Sequence, residues 1–221
     1  MKFVHDEIEL TTAATDLGLA LIALCGVMYL LIRVNNTSWK RNIWICFFCL
    51  MFVVSLLAAI YHGISLPEYM LDYLWHGVLV LFGLLISSFV LAVAVDLSSE
   101  KFSKRIIPWV SVLYFAVFVV SLFLENKFLG FAIYQLSISA VAFVGYIVVT
   151  VARGRPLQGG WFMAFGALIS IIAMAIQVGG TLSLDFIWRF NYNGIYHIVQ
   201  MVGIVSFIFG LHRYFLNRDL G

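Results

Sequence analysis

The stretch Phe190-Asn191-Tyr192-Asn193-Gly194-Ile195-Tyr196-His197-Ile198-Val199-Gln200 opens the last long apolar segment of the chain and decides how the rest is read. Asn193, His197 and Gln200 recur at i, i+4 and i+7, which on a helix places all three on one face. A polar stripe inside a membrane segment is costly unless it faces a bundle interior or a wet cavity, so it marks a functional candidate. Two questions follow: whether the chain is a membrane protein, and which residues the stripe meets.

Of the 221 residues, 63% are hydrophobic and 11% are charged. Soluble domains are nearer half apolar and a quarter charged, so the composition indicates a polytopic membrane protein. A spanning helix needs about 20 consecutive apolar residues. Seven segments qualify, at 13–34, 42–64, 71–95, 106–124, 129–152, 161–181 and 194–215. The connections are too short for a soluble domain, so residues 1–221 read as one all-α integral membrane bundle of seven transmembrane helices. Thr11 or Thr12 is placed to cap the first helix. Pro67 falls just past the second, and Gly179-Gly180 loosens the end of the sixth. The first ten residues are polar and acidic, the opposite of the basic start of a signal peptide.

Charge sets the orientation. Lys2, Lys127 and Arg189 lie on the N-terminal side, and the other ten Lys and Arg, including Arg33, Lys40, Arg153, Arg155 and Arg218, lie on the opposite side. The basic side is expected to be cytoplasmic, with the N-terminus outside and the C-terminus inside. Of the acidic residues, Asp6, Glu7, Glu9, Asp16 and Asp72 lie on the outer side, while Asp96, Glu100 and Asp219 lie on the inner one. The net charge of +2 and the lack of a basic–aromatic run argue against nucleic acid. Cys46 and Cys49 form a C-x-x-C, but with Cys25 as the one other cysteine no second pair completes a zinc ribbon, and all three read as small membrane-helix residues.

Odd helices start and even helices end on the outer side, so residues far apart in sequence share one layer there. His62 ends the second helix, His76 lies a turn into the third and His197 a turn into the seventh. Asp72 precedes His76 by four residues, Asn193 precedes His197 by four, and Asp16, Gln177, Tyr61 and Tyr196 sit at similar depth. Three imidazoles with a nearby carboxylate match a catalytic zinc site, which takes three protein ligands and a water. The metal acidifies that water and polarises a carbonyl, while the carboxylate accepts the proton. Taken singly, each histidine reads as an interhelical hydrogen bond. His212, at the inner end of the last segment, reads as structural.

Asn193-Gly194-Ile195-Tyr196-His197 resembles the last-helix H-x-x-x-H signature of the alkaline ceramidases, members of the CREST superfamily of seven-helix membrane hydrolases. Ala58-Ala59-Ile60-Tyr61-His62 stands where that family has S-x-x-x-H, and Asp72 where it has an aspartate ten residues on. The resemblance implies an outward N-terminus, His62 and His197 as zinc ligands, and Asp72 as the acid–base carboxylate. Asn193 replaces one family ligand and Ala58 the family serine. His76, on the face of Asp72, is the substitute we expect, giving the ligand set His62, His76 and His197 supported by Asn193, Gln200, Gln177 and Asp16. Tyr61 or Tyr196 then takes over oxyanion stabilisation. The family also binds Ca2+ through an acidic N-terminal segment and a first-helix carboxylate. Here Asp6, Glu7, Glu9 and Asp16 occupy roughly that region, with a solvated acidic tail as the competing reading.

The resulting expectation is a zinc-dependent (Zn2+) hydrolase of a membrane lipid amide or ester, its site near the outer leaflet of a plasma or inner membrane. The competing reading is a non-catalytic seven-helix lipid or small-molecule receptor, or a partner subunit, with a degenerate metal site. A proton relay or transporter lacks a continuous polar path. A retinal protein lacks a lysine inside the last helix.

Overall fold

The computed structural model describes residues 2–35, 37–152 and 157–218. Arg153, Arg155 and Asp219, counted in the charge balance, lie outside the described residues. The elements are α1 (Glu7–Arg33), α2 (Trp39–Gly63), α3 (Glu68–Leu97), α4 (Glu100–Arg105), α5 (Ile107–Leu122), α6 (Lys127–Ala152), α7 (Gly160–Gly179), β1 (Ser183–Asp185), β2 (Arg189–Asn191) and α8 (Tyr192–Arg218). Among the described residues, α1, α2, α3, α6, α7 and α8 are the six helices long and apolar enough to cross a membrane. The architecture is a helical bundle of the multi-pass membrane kind.

Segment 106–124, expected to span, is a shorter helix. α5 has 16 residues, about 24 Å at 1.5 Å per residue against a hydrocarbon core of about 30 Å. Phe123 and Leu124 are spent in the turn into α6. Pro108 lies in the first turn of α5 and has no N–H to bond back to Lys104, so α4 and α5 do not fuse into one helix.

Capping explains the other boundary shifts. The expected caps Thr11 and Thr12 lie inside α1, which starts earlier because the Asp6 carboxylate accepts from Ile8 N at 2.8 Å. Glu7 and Glu9 in the first turn favour the positive end of the helix dipole. Thr12 donates its hydroxyl to Ile8 O, and Thr11 shares its single hydroxyl proton between Ile8 O and Arg189 O. Pro67 serves as the N-cap residue of α3, and Gly180 closes α7 in the left-handed region at φ 64°. The hairpin before α8 has no counterpart among the expected elements. Its antiparallel register pairs Ser183 with Asn191 and Asp185 with Arg189, and it delivers Asn191 to cap α8. Asn191 Oδ1 accepts from the amides of Asn193 at 3.1 Å and Gly194 at 3.0 Å.

The helices pack chiefly as α1 on α2 and α8, α7 on α6 and α8, and α3 on α2. α7 and α8 approach closely at Gly166, where an added Cβ would lie 2.6 Å from the Phe207 ring. Small residues permit this contact where no hydrophobic effect drives helices together. At the centre, fully buried Trp44 is ringed by Phe47, Phe48, Phe89 and Phe207 at centroid distances of 5.3, 5.9, 6.1 and 5.6 Å.

Two polar tie-points mark the two ends of the bundle. At the first, Val4 N donates to Gly63 O at 3.1 Å and Thr11 Oγ1 to Arg189 O at 2.8 Å, joining the N-terminal segment, α2, α1 and the hairpin. At the second, Lys40 Nζ lies 2.9 Å from Asp96 Oδ1 and 3.3 Å from the Tyr214 ring centroid. Asp96 also accepts from Tyr146 OH at 2.9 Å and Trp44 Nε1 at 3.4 Å, so one carboxylate joins α2, α3 and α6. Removing one partner of such a buried pair costs about 3–5 kcal/mol, whereas replacing both with apolar residues is near neutral. Lys40→Met should therefore lower the unfolding midpoint in detergent more than the double variant Lys40→Met/Asp96→Asn, which removes the stranded charge and keeps an amide beside Tyr146 and Trp44. Equal losses in the two would show that the pair does not act as a unit.

Candidate functional site

One face of α1 organises the first end. Glu9, Thr12 and Asp16 follow one another at spacings of three and four, with Thr15 beside them. This face meets His62 at the end of α2 and His197 one turn into α8, whose start is fixed by the Asn191 cap.

Glu9 Oε2 lies 2.6 Å from His62 Nδ1. The carboxylate accepts, so Nδ1 carries a proton and Nε2 points the other way. That Nε2 lies 3.4 Å from Asn193 Nδ2, an N–H donor. His197 repeats the pattern. Its Nδ1 lies 3.2 Å from Thr15 Oγ1, and Thr15 already donates its hydroxyl to Thr12 O at 2.8 Å. The hydroxyl must therefore accept from Nδ1–H, and Nε2 again faces away with its lone pair. It faces Asp16 Oδ1 at 3.2 Å. A lone pair opposite a carboxylate needs a shared proton or a cation between them. Asp16 is 1% exposed, and its second oxygen, Oδ2, is buried with no partner among the described residues.

Both imidazoles, Asp16 and Asn193 line a cavity of about 360 Å³. Its walls are apolar and aromatic, with Trp75, Phe82 and Phe128 among them, and Gln177 of α7 also faces it. Gln177 Oε1 is likewise buried without a partner. Tyr61 packs edge-on against His62 and Tyr196 lies tilted against His197, each at 5.0 Å between centroids, and both tyrosines line the cavity.

His76 and Asp72 are not part of this lining. His76 is exposed at the surface of α3; its Nδ1 lies 2.7 Å from Asp72 O and its Nε2 3.2 Å from Lys127 Nζ. Trp75, Val78, Leu79 and Phe82 mark the face of α3 that lines the cavity, and His76, next after Trp75, is turned about 100° round the helix from it. The expected set of three imidazoles is thus not brought together: His76 shares a depth with the others, not a face. Asp72 is exposed. Gln200 leaves the cavity too. Its Nε2 donates to Ser170 Oγ at 3.1 Å, because that hydroxyl is already donating to Gly166 O.

The acidic N-terminal residues do separate jobs. Asp6 caps α1, Glu7 accepts from Arg189 N at 3.3 Å, and Glu9 holds His62. Among the described residues, no three His, Cys, Asp or Glu side chains converge as a group around a metal position. The three cysteines are free and exposed.

Sequence reasoning missed Glu9 and Thr15 as the partners of the two histidines. The available signal was the spacing of Glu9, Thr12 and Asp16, the i, i+3, i+7 stripe of a polar helix face.

A family model matches residues 11–214, running from the first turns of α1 nearly to the end of α8. The chain belongs to that family. It is described as a family of unknown function, DUF6962. The matched span contains Asp16, His62, Asn193 and His197, whereas Glu9 precedes it. No curated protein and no solved structure matches the chain.

The geometry ranks the α1 contacts energetically. Asp16→Ala removes a buried partner of His197 and should cost about 2–3 kcal/mol. Glu9 is 40% exposed at its side chain, so Glu9→Ala should cost below about 1 kcal/mol after screening. Thermal unfolding of the two variants checks the order; a Glu9 variant less stable than the Asp16 variant would contradict it.

Proposed function

We propose that the protein is a multi-pass membrane hydrolase acting on an amide or ester of a membrane lipid, with zinc held by His62 and His197. The observation that carries this reading is the common setting of the two rings: each Nδ1 lies against an oxygen of α1, Glu9 Oε2 or Thr15 Oγ1, which leaves each Nε2 for the residues that line the cavity. Metal-ligating histidines are oriented in this way, by a carboxylate or other oxygen on the far nitrogen. Asp16 adds a carboxylate with one unpartnered oxygen, and two imidazoles with a carboxylate form a recurrent catalytic zinc set with an open position. Two imidazoles and a carboxylate are donors of the kind zinc takes, but among the described residues they do not converge as a three-ligand group, so binding would require His62, Asp16 and His197 to close on the ion. A zinc ion bound there supplies a Lewis acid that polarises a carbonyl and acidifies a water.

The chain's own residues do the rest. The apolar walls around Phe82 and Phe128 accommodate an acyl chain and keep water from it. Asp16, rather than Asp72, is the carboxylate at the cavity; with Oδ1 toward the ion, its unpartnered Oδ2 would be the oxygen that takes and returns a proton. Tyr61 and Tyr196 flank the rings as hydroxyl donors for a developing oxyanion, the role left open by Ala58.

A second reading, a non-catalytic lipid or small-molecule receptor, is favoured by the Asn193 amide, which offers a neutral donor to His62 Nε2 at 3.4 Å. Elemental analysis separates the two. The hydrolase should carry about one zinc per chain, as expected for a single site of two imidazoles and one carboxylate, and lose it in His62→Ala/His197→Ala. Fatty acid release from a lipid panel should fall about 100-fold in Asp16→Asn, the scale of a lost acid–base group, and hold in Asp72→Asn. Metal-free protein that still binds lipid would select the receptor.

In this reading α5 is a short seventh span, with the charged α4 at the membrane surface. The N-terminus and the cavity then face the exoplasmic side of a plasma or inner membrane, and the C-terminus is cytoplasmic. In a cysteine-free background, an impermeant thiol reagent should label Ser65→Cys on intact cells and Lys101→Cys only after lysis. The reverse pattern would invert the topology.

A further inference from the structure

At the end of the bundle opposite His62 and His197, α1 and α8 leave a groove of about 520 Å³ between them. Tyr29 and Arg33, four residues apart on α1, form one wall. Ile208, His212 and Phe215, at i, i+4 and i+7 on α8, form the other, with Phe209 beside them. Among the described residues, no acidic side chain lines the groove.

Its two cationic or donor groups are in different states from those around them. Arg41 is spent on Leu30 O at 3.0 Å, Lys40 on Asp96, and Lys104 on Glu100. Arg33 is exposed and, among the described residues, has no ion pair or side-chain hydrogen bond. His212 is held: its Nδ1 lies 3.2 Å from Tyr29 OH and the two rings meet edge-on at 5.7 Å. Its Nε2 has no partner among the described residues.

We infer that this groove binds an anionic phospholipid of the surrounding bilayer, with the phosphate on Arg33 and His212 and an acyl chain along Ile208, Phe209 and Phe215. The charge balance selects the occupant. A guanidinium with no partner among the described residues and an imidazole, with no carboxylate among the described groove residues, suit a net negative headgroup over a zwitterionic one. The apolar wall below suits a tail that a free phosphate lacks. The site stands independently of what the cavity at the other end does.

The test uses the full-length protein in a neutral detergent, titrated with phosphatidylglycerol, phosphatidylcholine or inorganic phosphate while the unfolding midpoint is followed. Phosphatidylglycerol should raise the midpoint by about 4 °C, with phosphatidylcholine and phosphate giving under about 1 °C. Arg33→Gln/His212→Gln should lose the phosphatidylglycerol shift. An equal shift with phosphatidylcholine, a shift reproduced by phosphate alone, or a double variant that keeps the shift overturns the site. A second readout needs no variant. Wild-type protein taken from an equimolar mixture of the two lipids should retain phosphatidylglycerol about fivefold over phosphatidylcholine in intact-complex mass spectra. Equal retention overturns it.

Discussion

Asp16 and His197 face each other across 3.2 Å inside an apolar bundle, and much of the cavity's geometry follows from how that contact is kept. Neither group can be left bare at this depth without a cost of several kcal/mol. Thr15 decides the outcome. Because its hydroxyl is committed to Thr12 O, it can only accept from His197 Nδ1, and the ring's lone pair is forced toward the carboxylate. The contact then requires a proton or a cation. A threonine that forms an ordinary helical back-bond thereby fixes the chemical state of a residue on α8.

The same face of α1 performs a second alignment. Glu9, two turns before Asp16, fixes the His62 ring at the end of α2. One helix therefore orients two imidazoles carried by two others. The hairpin is what lets α8 take part. Its register ends at Asn191, whose side chain caps the helix, and Thr11 and Glu7 of α1 bond to the backbone of Arg189. The position of His197 along the cavity is thus set from outside the helix that carries it, by a cap and a strand pair. No buried apolar contact could fix the start of α8 as sharply, since packing tolerates sliding that a cap does not.

The membrane character, six of the seven long helices and the proximity of His62, Asn193 and His197 were legible in the sequence because apolar length and helix parity are strong, local signals. Depth along a membrane follows from counting residues; azimuth does not. His76 shows the difference. Counting puts it in the right layer, but Trp75 occupies the face of α3 that enters the cavity, and Lys127 from α6 meets His76 instead. α5 fell short because apolar residues continue into a turn, and composition cannot tell a turn's Phe123 from a helix's. The hairpin escaped because three-residue strands carry no periodicity. Glu9 escaped because an acidic residue near a chain start reads as solvated until a partner from another helix is seen beside it.

Burial of charge does not by itself mark function here, and the two buried aspartates make the case. Asp96 has a lysine and an indole on one oxygen and a tyrosine hydroxyl on the other; nothing is left for a ligand to supply. It reads as a clamp between helices. Asp16 is more deeply buried, yet one oxygen has no partner among the described residues and the other faces a lone pair. A saturated pair such as that of Asp96 would serve folding better. Gln177 Oε1, also without a donor, faces the same cavity. Two buried acceptors at the cavity, Asp16 Oδ2 and Gln177 Oε1, thus have no partner among the described residues, and an occupant that brings positive charge or hydrogen-bond donors would satisfy them. A metal ion meets that demand, and so does a protonated or hydroxyl-bearing headgroup. A purely hydrocarbon ligand does not, which restricts the occupant to an amphipathic molecule, a cation, or both together.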